Sequence, residues 1–265
     1  MPRLSVNGIT LSYAEAGSGP PLLLISGLGA NRLSWVPVLP LLSDSFRCIT
    51  FDNRGTGESD VPPGPYTIDQ LGDDTAALID ALGIGPVAAV GWSMGGSILQ
   101  SLLINHPDKL RRAVLLSTLP SYTDLQHGWL DALLTLRRAN VDPLALGIIG
   151  MPWGMTARVL SNHMTAFAGA QLAQQNPYPT TLAGFEAQAQ AIRVYDSRPQ
   201  LPRVTTPTMV LVGAEDILTP VHQSVEIASL IPNARLTVLP RGGHGMVVEY
   251  ADDTVRAIRN FLVEE

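Results

Sequence analysis

The sequence is poor in cysteine, lysine, formal charge and long apolar runs, and each shortage removes a class of protein. Cys48 is the single cysteine, so no internal disulfide can form. It lies in the apolar run Phe46-Arg47-Cys48-Ile49-Thr50-Phe51 and reads as a small buried hydrophobe rather than a nucleophile. Of 17 basic residues only Lys109 is a lysine, a bias with no functional account. Acidic residues number 23, leaving a net charge of −6. That balance argues against nucleic acid or an anionic membrane as partner, since both reward a basic surface. No apolar stretch approaches the roughly 20 residues of a membrane span. Met1-Pro2-Arg3 runs into a strand pattern without a secretory leader, so the expected location is the cytoplasm. Repeats, charge runs and low-complexity tracts are also missing.

What remains is a globular composition, 46% hydrophobic and 15% charged over 265 residues. That length suits one large α/β domain or a core carrying an inserted subdomain. The stretch around which the chain is organised is Val87-Ala88-Ala89-Val90-Gly91-Trp92-Ser93-Met94-Gly95-Gly96. A buried strand, a serine and two glycines lead into an apolar segment of helical length that ends at His106-Pro107. Gly91-Trp92-Ser93-Met94-Gly95 fits the Gly-x-Ser-x-Gly pattern of a nucleophile elbow, in which the flanking glycines let strand and helix backbones pass closely. The helix N-terminus would then aim unpaired N–H groups at negative charge developing beside Ser93.

The rest of the chain keeps a βα rhythm with one interruption. Alternation on both sides of Asn7-Gly8 signals a hairpin. Leu22-Leu23-Leu24-Ile25 is apolar on both faces, as a central parallel strand is, and ends in Ser26-Gly27-Leu28-Gly29, either a ligand-facing turn or an ordinary βα loop. The spacing predicts a helix over 30–42, then the Cys48 strand and the turn Asp52-Asn53-Arg54-Gly55-Thr56-Gly57-Glu58-Ser59. Arg54 and its carboxylate neighbours are expected to fasten that turn rather than to react. Thr67 with Gln70 forms a helix start and Gly83 a stop.

Between Leu119 and Arg203 the rhythm breaks into short helices punctuated by Pro143, Pro152, Pro177 and Pro179, which reads as a lid. The expected division is a core of 1–119 and 201–265 with a helical cap over 120–200. Trp129, Met151, Trp153, Met155, Met164 and Phe167 fall in this region and read equally as the lid's own core or as the lining of a pocket for an apolar group. Trp92, Trp129, Trp153 and Met155 are the expected pocket residues. Arg137, Arg138, Arg158 and Arg193 are candidates to hold a substrate carboxylate.

A serine hydroxyl needs a base within reach and a third group to fix the base's tautomer. Five histidines compete for the first role. His106 ends the helix after the elbow, His127 and His163 lie in the lid, and His222 starts a helix, whereas His244 stands in the glycine-flanked loop Arg241-Gly242-Gly243-His244-Gly245 directly after a strand. Asp216, in the turn Ala214-Glu215-Asp216 after the strand Thr208–Gly213, is the candidate acid, with its neighbour Glu215 read as solvated.

With these residues in view the chain resembles the α/β-hydrolase fold superfamily of serine hydrolases over essentially its whole length. The elbow with Gly96, Asp52-x-Arg54-Gly55-x-Gly57-x-Ser59, Gly213-x-x-Asp216-x-x-x-Pro220 and Gly242-Gly243-His244 match its motifs in order. The resemblance implies an eight-stranded, mostly parallel sheet with helices on both faces and a cap between strands six and seven. It also implies an oxyanion hole from the backbone N–H groups of Leu28 and Met94, and no cofactor or metal. Where that family often has His-Gly this chain has Ser26-Gly27, which bears on how the loop is held. Ile25-Ser26-Gly27-Leu28-Gly29, the Asp52 loop and the His244 loop are loosely similar to the group containing 3-oxoadipate enol-lactonase, aminoacrylate hydrolase and the pimeloyl-carrier methyl ester carboxylesterase. Serine at 93 sets the chain apart from the dehalogenases and epoxide hydrolases, which use aspartate there. The expected activity is hydrolysis of a carboxylic ester or lactone with a medium-sized, largely apolar portion, through an acyl-enzyme on Ser93 with the triad Ser93, His244 and Asp216. A cofactor-free C–C bond hydrolase, perhydrolase or lyase on the same triad, and a non-enzymatic ligand receptor, are the alternatives.

Overall fold

The computed structural model describes residues 1–162, 171 and 175–264. Eight strands form one sheet in the order β1-β2-β4-β3-β5-β6-β7-β8. They are β1 Arg3–Val6, β2 Ile9–Ala16, β3 Pro21–Ile25, β4 Arg47–Phe51, β5 Val87–Trp92, β6 Leu110–Leu116, β7 Thr208–Gly213 and β8 Arg235–Leu239. β1 pairs with β2, and β2 with β4, antiparallel; every later pairing is parallel. The parallel strands therefore present their C-terminal ends along one edge, where ligands bind in open α/β sheets.

Side chains alternate across the sheet, and each face has its own apolar layer. Leu23, Ile25 and Ala89 face helices α2 (Ile68–Leu82) and α3 (Met94–Asn105) and contribute to the larger cluster. Leu22, Leu24, Ala88 and Val90 face the other way, toward Trp35, Met246, Ile258 and Phe261. Thr67 Oγ1 accepts the Gln70 amide at 3.0 Å and Gly83 adopts φ 61°, so α2 starts and stops where its sequence says it should. The single helix expected over 30–42 is instead a 3₁₀ turn, Arg32–Trp35, followed by the short α1, Leu39–Ser43. Pro37 and Pro40 account for this, because each removes an amide donor and clashes with the preceding turn.

After β6 the chain leaves the sheet for α4 (Asp124–Arg138), α5 (Pro143–Gly154), α6 (Ala157–Leu160) and α7 (Leu182–Arg193) before rejoining at β7. Leu130 and Leu134 of α4 and Phe185 and Ile192 of α7 join the larger apolar layer, so these helices are seated on the sheet's α3 side. The last helices are α8 (Val221–Leu230), α9 (Met246–Glu249) and α10 (Ala251–Val263). Among the described residues no helix is long and apolar enough to cross a membrane. Met164 and Phe167, read as lid residues, and His163 lie outside the described residues.

Candidate active site

Ser93 occupies the turn between β5 and α3 with φ 60° and ψ −124°, a conformation that costs a non-glycine residue energy. The turn is tight because its neighbours have no side chain. A Cβ on Gly91 would sit 2.3 Å from the Gly95 carbonyl oxygen, and one on Gly95 2.1 Å from that of Ile25. The Ser93 amide donates to Leu116 O at 3.0 Å, and Ser93 O accepts from Thr118 Oγ1 at 2.8 Å. Its hydroxyl makes no hydrogen bond to a described residue and caps nothing.

The loop after β3 passes alongside. Ser26 holds it by donating to Asn31 O at 3.2 Å and pairing with Ser34 Oγ at 3.0 Å, while Asn53 Nδ2 donates to Ser26 O at 2.9 Å. Serine thus secures this turn with two local hydroxyl contacts, which answers the departure from His-Gly. The Leu28 amide and the Met94 amide, the latter first in α3, donate to no described residue. Both are left free to meet an anion.

Asp216 and His244 meet at the ends of β7 and β8. His244 Nδ1 lies 3.1 Å from Asp216 Oδ2, and both side chains are buried. The other Asp216 oxygen accepts the Leu218 and Thr219 amides at 3.0 and 2.8 Å. Thr219, which sequence reasoning missed, donates its hydroxyl to Asp216 Oδ2 at 2.6 Å and stands 3.2 Å from His244 Nδ1. Burial pushes the Asp216 carboxyl up, but the facing His244 and the hydrogen bonds from His244 and Thr219 outweigh it and hold the group below its ordinary value. Of the other histidines, His106 pairs with Asp73 at 2.8 Å on the far side of α3, and His222 lies in α8.

Ser93, Leu28 and Thr219 line one narrow cavity, closed by Leu119, Trp129 and Ile192, with about 20 Å³ of free space. Larger grooves exist, including one of about 580 Å³ between β8 and α10, but Ser93, Asp216 and His244 do not line it. Tyr122 also borders the small cavity; burial pushes its phenol up to about 12, so it remains protonated at neutral pH. Among the described residues no hydrogen bond joins Ser93 Oγ to His244. Such contacts commonly tighten only when substrate is present.

Of the four expected pocket residues, Trp129 lines the cavity beside Ser93. Trp92 does not: strand alternation puts it on the face of Ala88 and Val90, where its indole donates to His244 O at 2.9 Å and packs on Trp35. It supports the histidine loop from beneath. Trp153 lines a separate groove with Leu136 and Ile149. Met155 lies against Gly245, its sulfur 3.3 Å from where a Cβ would be. Among the candidate carboxylate binders, Arg138 is paired with Glu186 at 2.6 Å and Arg193 with Asp131. Arg137 stacks 4.1 Å from the centre of the Phe185 ring, and burial lowers its pKa. Arg54 is a fastener, bidentate to buried Asp74 at 2.7 and 2.8 Å. Among the described residues no cluster of His, Cys, Asp and Glu is placed to hold a metal ion.

Comparison with known proteins adds a family. A model described as alpha/beta hydrolase fold matches residues 20–250. A Caulobacter sp. (strain K31) protein named for carbamate hydrolysis, RutD, is 30% identical over 260 residues, covering 96% of both chains. A Mycobacterium tuberculosis protein named for non-heme bromoperoxidation, BpoC, is 32% identical over 247 residues, 89% of this chain and 91% of that one. The crystal structure of the enol-lactonase from Burkholderia xenovorans LB400 superposes with a TM-score of 0.88 at 30% identity, over 99% of this chain and all of the other.

Proposed function

The chain belongs to the alpha/beta hydrolase fold family, and on that premise we propose that it cleaves a carboxylic ester or lactone through an acyl-enzyme on Ser93. The observation that carries this reading is the 3.1 Å contact between Asp216 and His244 beside the cavity into which Ser93 opens. His244 takes the Ser93 proton as the oxygen attacks the carbonyl, and Asp216 holds the imidazolium through Nδ1. The Leu28 and Met94 amides receive the oxyanion, each worth about 3 kcal/mol of transition-state stabilisation. His244 returns the proton to the leaving alcohol and then activates the water that releases the acid.

The cavity walls favour a substrate with an apolar portion, since Leu28, Leu119, Ile192 and Leu218 surround the hydroxyl. Its present volume admits about one water, so substrate enters by displacing cap side chains such as Trp129 and Ile192. The deciding experiment is a panel of p-nitrophenyl esters of graded chain length, with lactones, thioesters and a carbamate, assayed on wild type and Ser93→Ala. Wild type turns over a preferred ester or lactone, and Ser93→Ala loses at least about 10³-fold in kcat. Turnover retained by the variant refutes the acyl-enzyme. A uniformly poor wild-type response transfers the site to C–C cleavage or perhydrolysis, the latter read by peracid formation from acetate and hydrogen peroxide.

A further inference from the structure

The glycines on both sides of His244 are explained by neither backbone conformation nor local turn chemistry. Gly243 and Gly245 have no positive φ, unlike Gly242 at 109°. What crowds a side chain at both positions is the end of α5 and the two residues after it. A Cβ on Gly243 would stand 2.9 Å from Gly154 O, and one on Gly245 would be 3.1 Å from the same oxygen. The two backbones are also bonded, Gly245 N to Gly154 O at 2.7 Å. Glu249, last residue of α9, completes the clasp. One carboxylate oxygen accepts the Thr156 amide at 2.6 Å and the Thr156 hydroxyl at 2.9 Å, and the other accepts the Gly243 amide at 3.0 Å. Thr156 is buried, and no cation pairs with Glu249 among the described residues. The carboxylate is committed to joining residues 154–156 to the loop that carries the histidine.

We propose that Glu249 is a positioning residue that couples the cap to His244, so that the seating of residues 154–156 sets where the imidazole stands relative to Ser93. This rests on the acyl-enzyme reading above. A carboxylate with two oxygens fixes two partners at once, and here the partners are an amide adjoining the base and the start of α6. When the cap shifts to admit substrate, the shift reaches His244 through this bridge rather than through the sheet. Ser93 and His244 are not hydrogen-bonded to each other, which leaves a displacement for the bridge to control.

The test uses a fluorophosphonate probe, which reports Ser93 reactivity whatever the natural substrate is. Labelling is measured well below the Tm of each variant, where the folded fraction is close to one and irreversibly unfolded protein lowers only the amplitude. Glu249→Ala is expected to label about 10-fold or more slowly at full amplitude, with a matching fall in kcat for p-nitrophenyl acetate and KM within about twofold. Thr156→Val keeps the shape and the amide but drops the hydroxyl, and is expected to slow labelling about threefold. The double variant should be no slower than Glu249→Ala alone, because both cut one connection. Equal rates for wild type and Glu249→Ala overturn the coupling while leaving the acyl-enzyme intact; if that variant does not fold, an unchanged rate in Thr156→Val does the same. Wild type that is not labelled at Ser93 overturns the acyl-enzyme reading, and the coupling with it.

Discussion

Adding one methyl group at each of two glycines separates the site from the scaffold. Gly27 lies beside Ser93 without a positive φ, so alanine is conformationally acceptable there. The new Cβ would stand 3.0 Å from Ser93 Cβ, 3.2 Å from Trp92 O and 3.5 Å from Ser93 Oγ. Relief needs a shift of a few tenths of an ångström, within a turn that also carries the Leu28 amide. A site tolerates roughly 0.5 Å of misplacement, and a 1 Å error costs about 100-fold. On the proposed acyl-enzyme chemistry, Gly27→Ala is therefore expected to lower kcat/KM for the best substrate of the panel by about 10- to 100-fold. The overpacking cost of about 1–2 kcal/mol is partly offset by the stiffer unfolded chain, about 0.4–1 kcal/mol, so Tm moves by no more than about 4 °C. Gly95→Ala is different. Its Cβ would lie 2.1 Å from Ile25 O and 2.7 Å from Ile25 C, both fixed in a central strand. Alanine's helix preference returns only about 1 kcal/mol, against several for parting α3 from β3, so Tm falls by at least about 6 °C or soluble protein is lost. Paired thermal melts and ester kinetics decide the matter. Wild-type kcat/KM in Gly27→Ala, or an unchanged Tm in Gly95→Ala, refutes the reasoning.

Two further outcomes concern charge. Because Asp216 is held below its ordinary value of 3.8, the unfolded chain binds the proton first on acidification. The stability this group contributes is complete above that value and is lost as pH falls through the lower folded value; urea midpoints measured downward from pH 5 should fall less steeply in Asp216→Asn than in wild type. Asp74→Ala strands the buried Arg54 guanidinium and should cost about 3–5 kcal/mol in urea unfolding, whereas Arg54→Met with Asp74→Leu recovers most of it. A double variant as unstable as the single one would show that the pair's shape, not its charge, matters there.

The sheet and the elbow were legible because they are written locally. Period-two alternation, apolar runs and glycines at fixed offsets from Ser93 leave few topologies open, and the strand ends then bring 93, 216 and 244 to one edge. Pocket residues were legible only in part. Trp129 follows from α4's apolar face, whereas Trp92 shares a face with Ala88 and Val90, opposite Ala89, a placement that the alternation of its own strand dictates. Trp153 belongs to a proline-punctuated segment whose direction no periodicity fixes. Thr219 and Glu249 carried no signal, since a threonine three residues beyond an aspartate and a glutamate at a helix end are ordinary surface patterns until the chain folds back on them. The helix over 30–42 failed on Pro37 and Pro40, a local signal that the apolar spacing outweighed.

Where strain is stored says why the hydroxyl is held so firmly. Among the described residues, five that are not glycine have positive φ: Asn7, Ser93, Ser117, Asn140 and Asn233. Asparagine visits that region more readily than other side chains do, so those three need no further cause. The two serines lack that ease, and both stand at C-terminal ends of adjacent strands, β5 and β6. Each is pinned by the next strand over, Ser93 N to Leu116 O at 3.0 Å and Ser117 N to Leu211 O at 2.8 Å. A strained residue persists only where its surroundings over-determine it, and three hydrogen-bonded strands do that better than a loop could. The sheet edge thus lets a side chain occupy a conformation that elsewhere defaults to glycine. The consequence is a hydroxyl raised clear of its own backbone, beside amides that the start of α3 leaves unpaired.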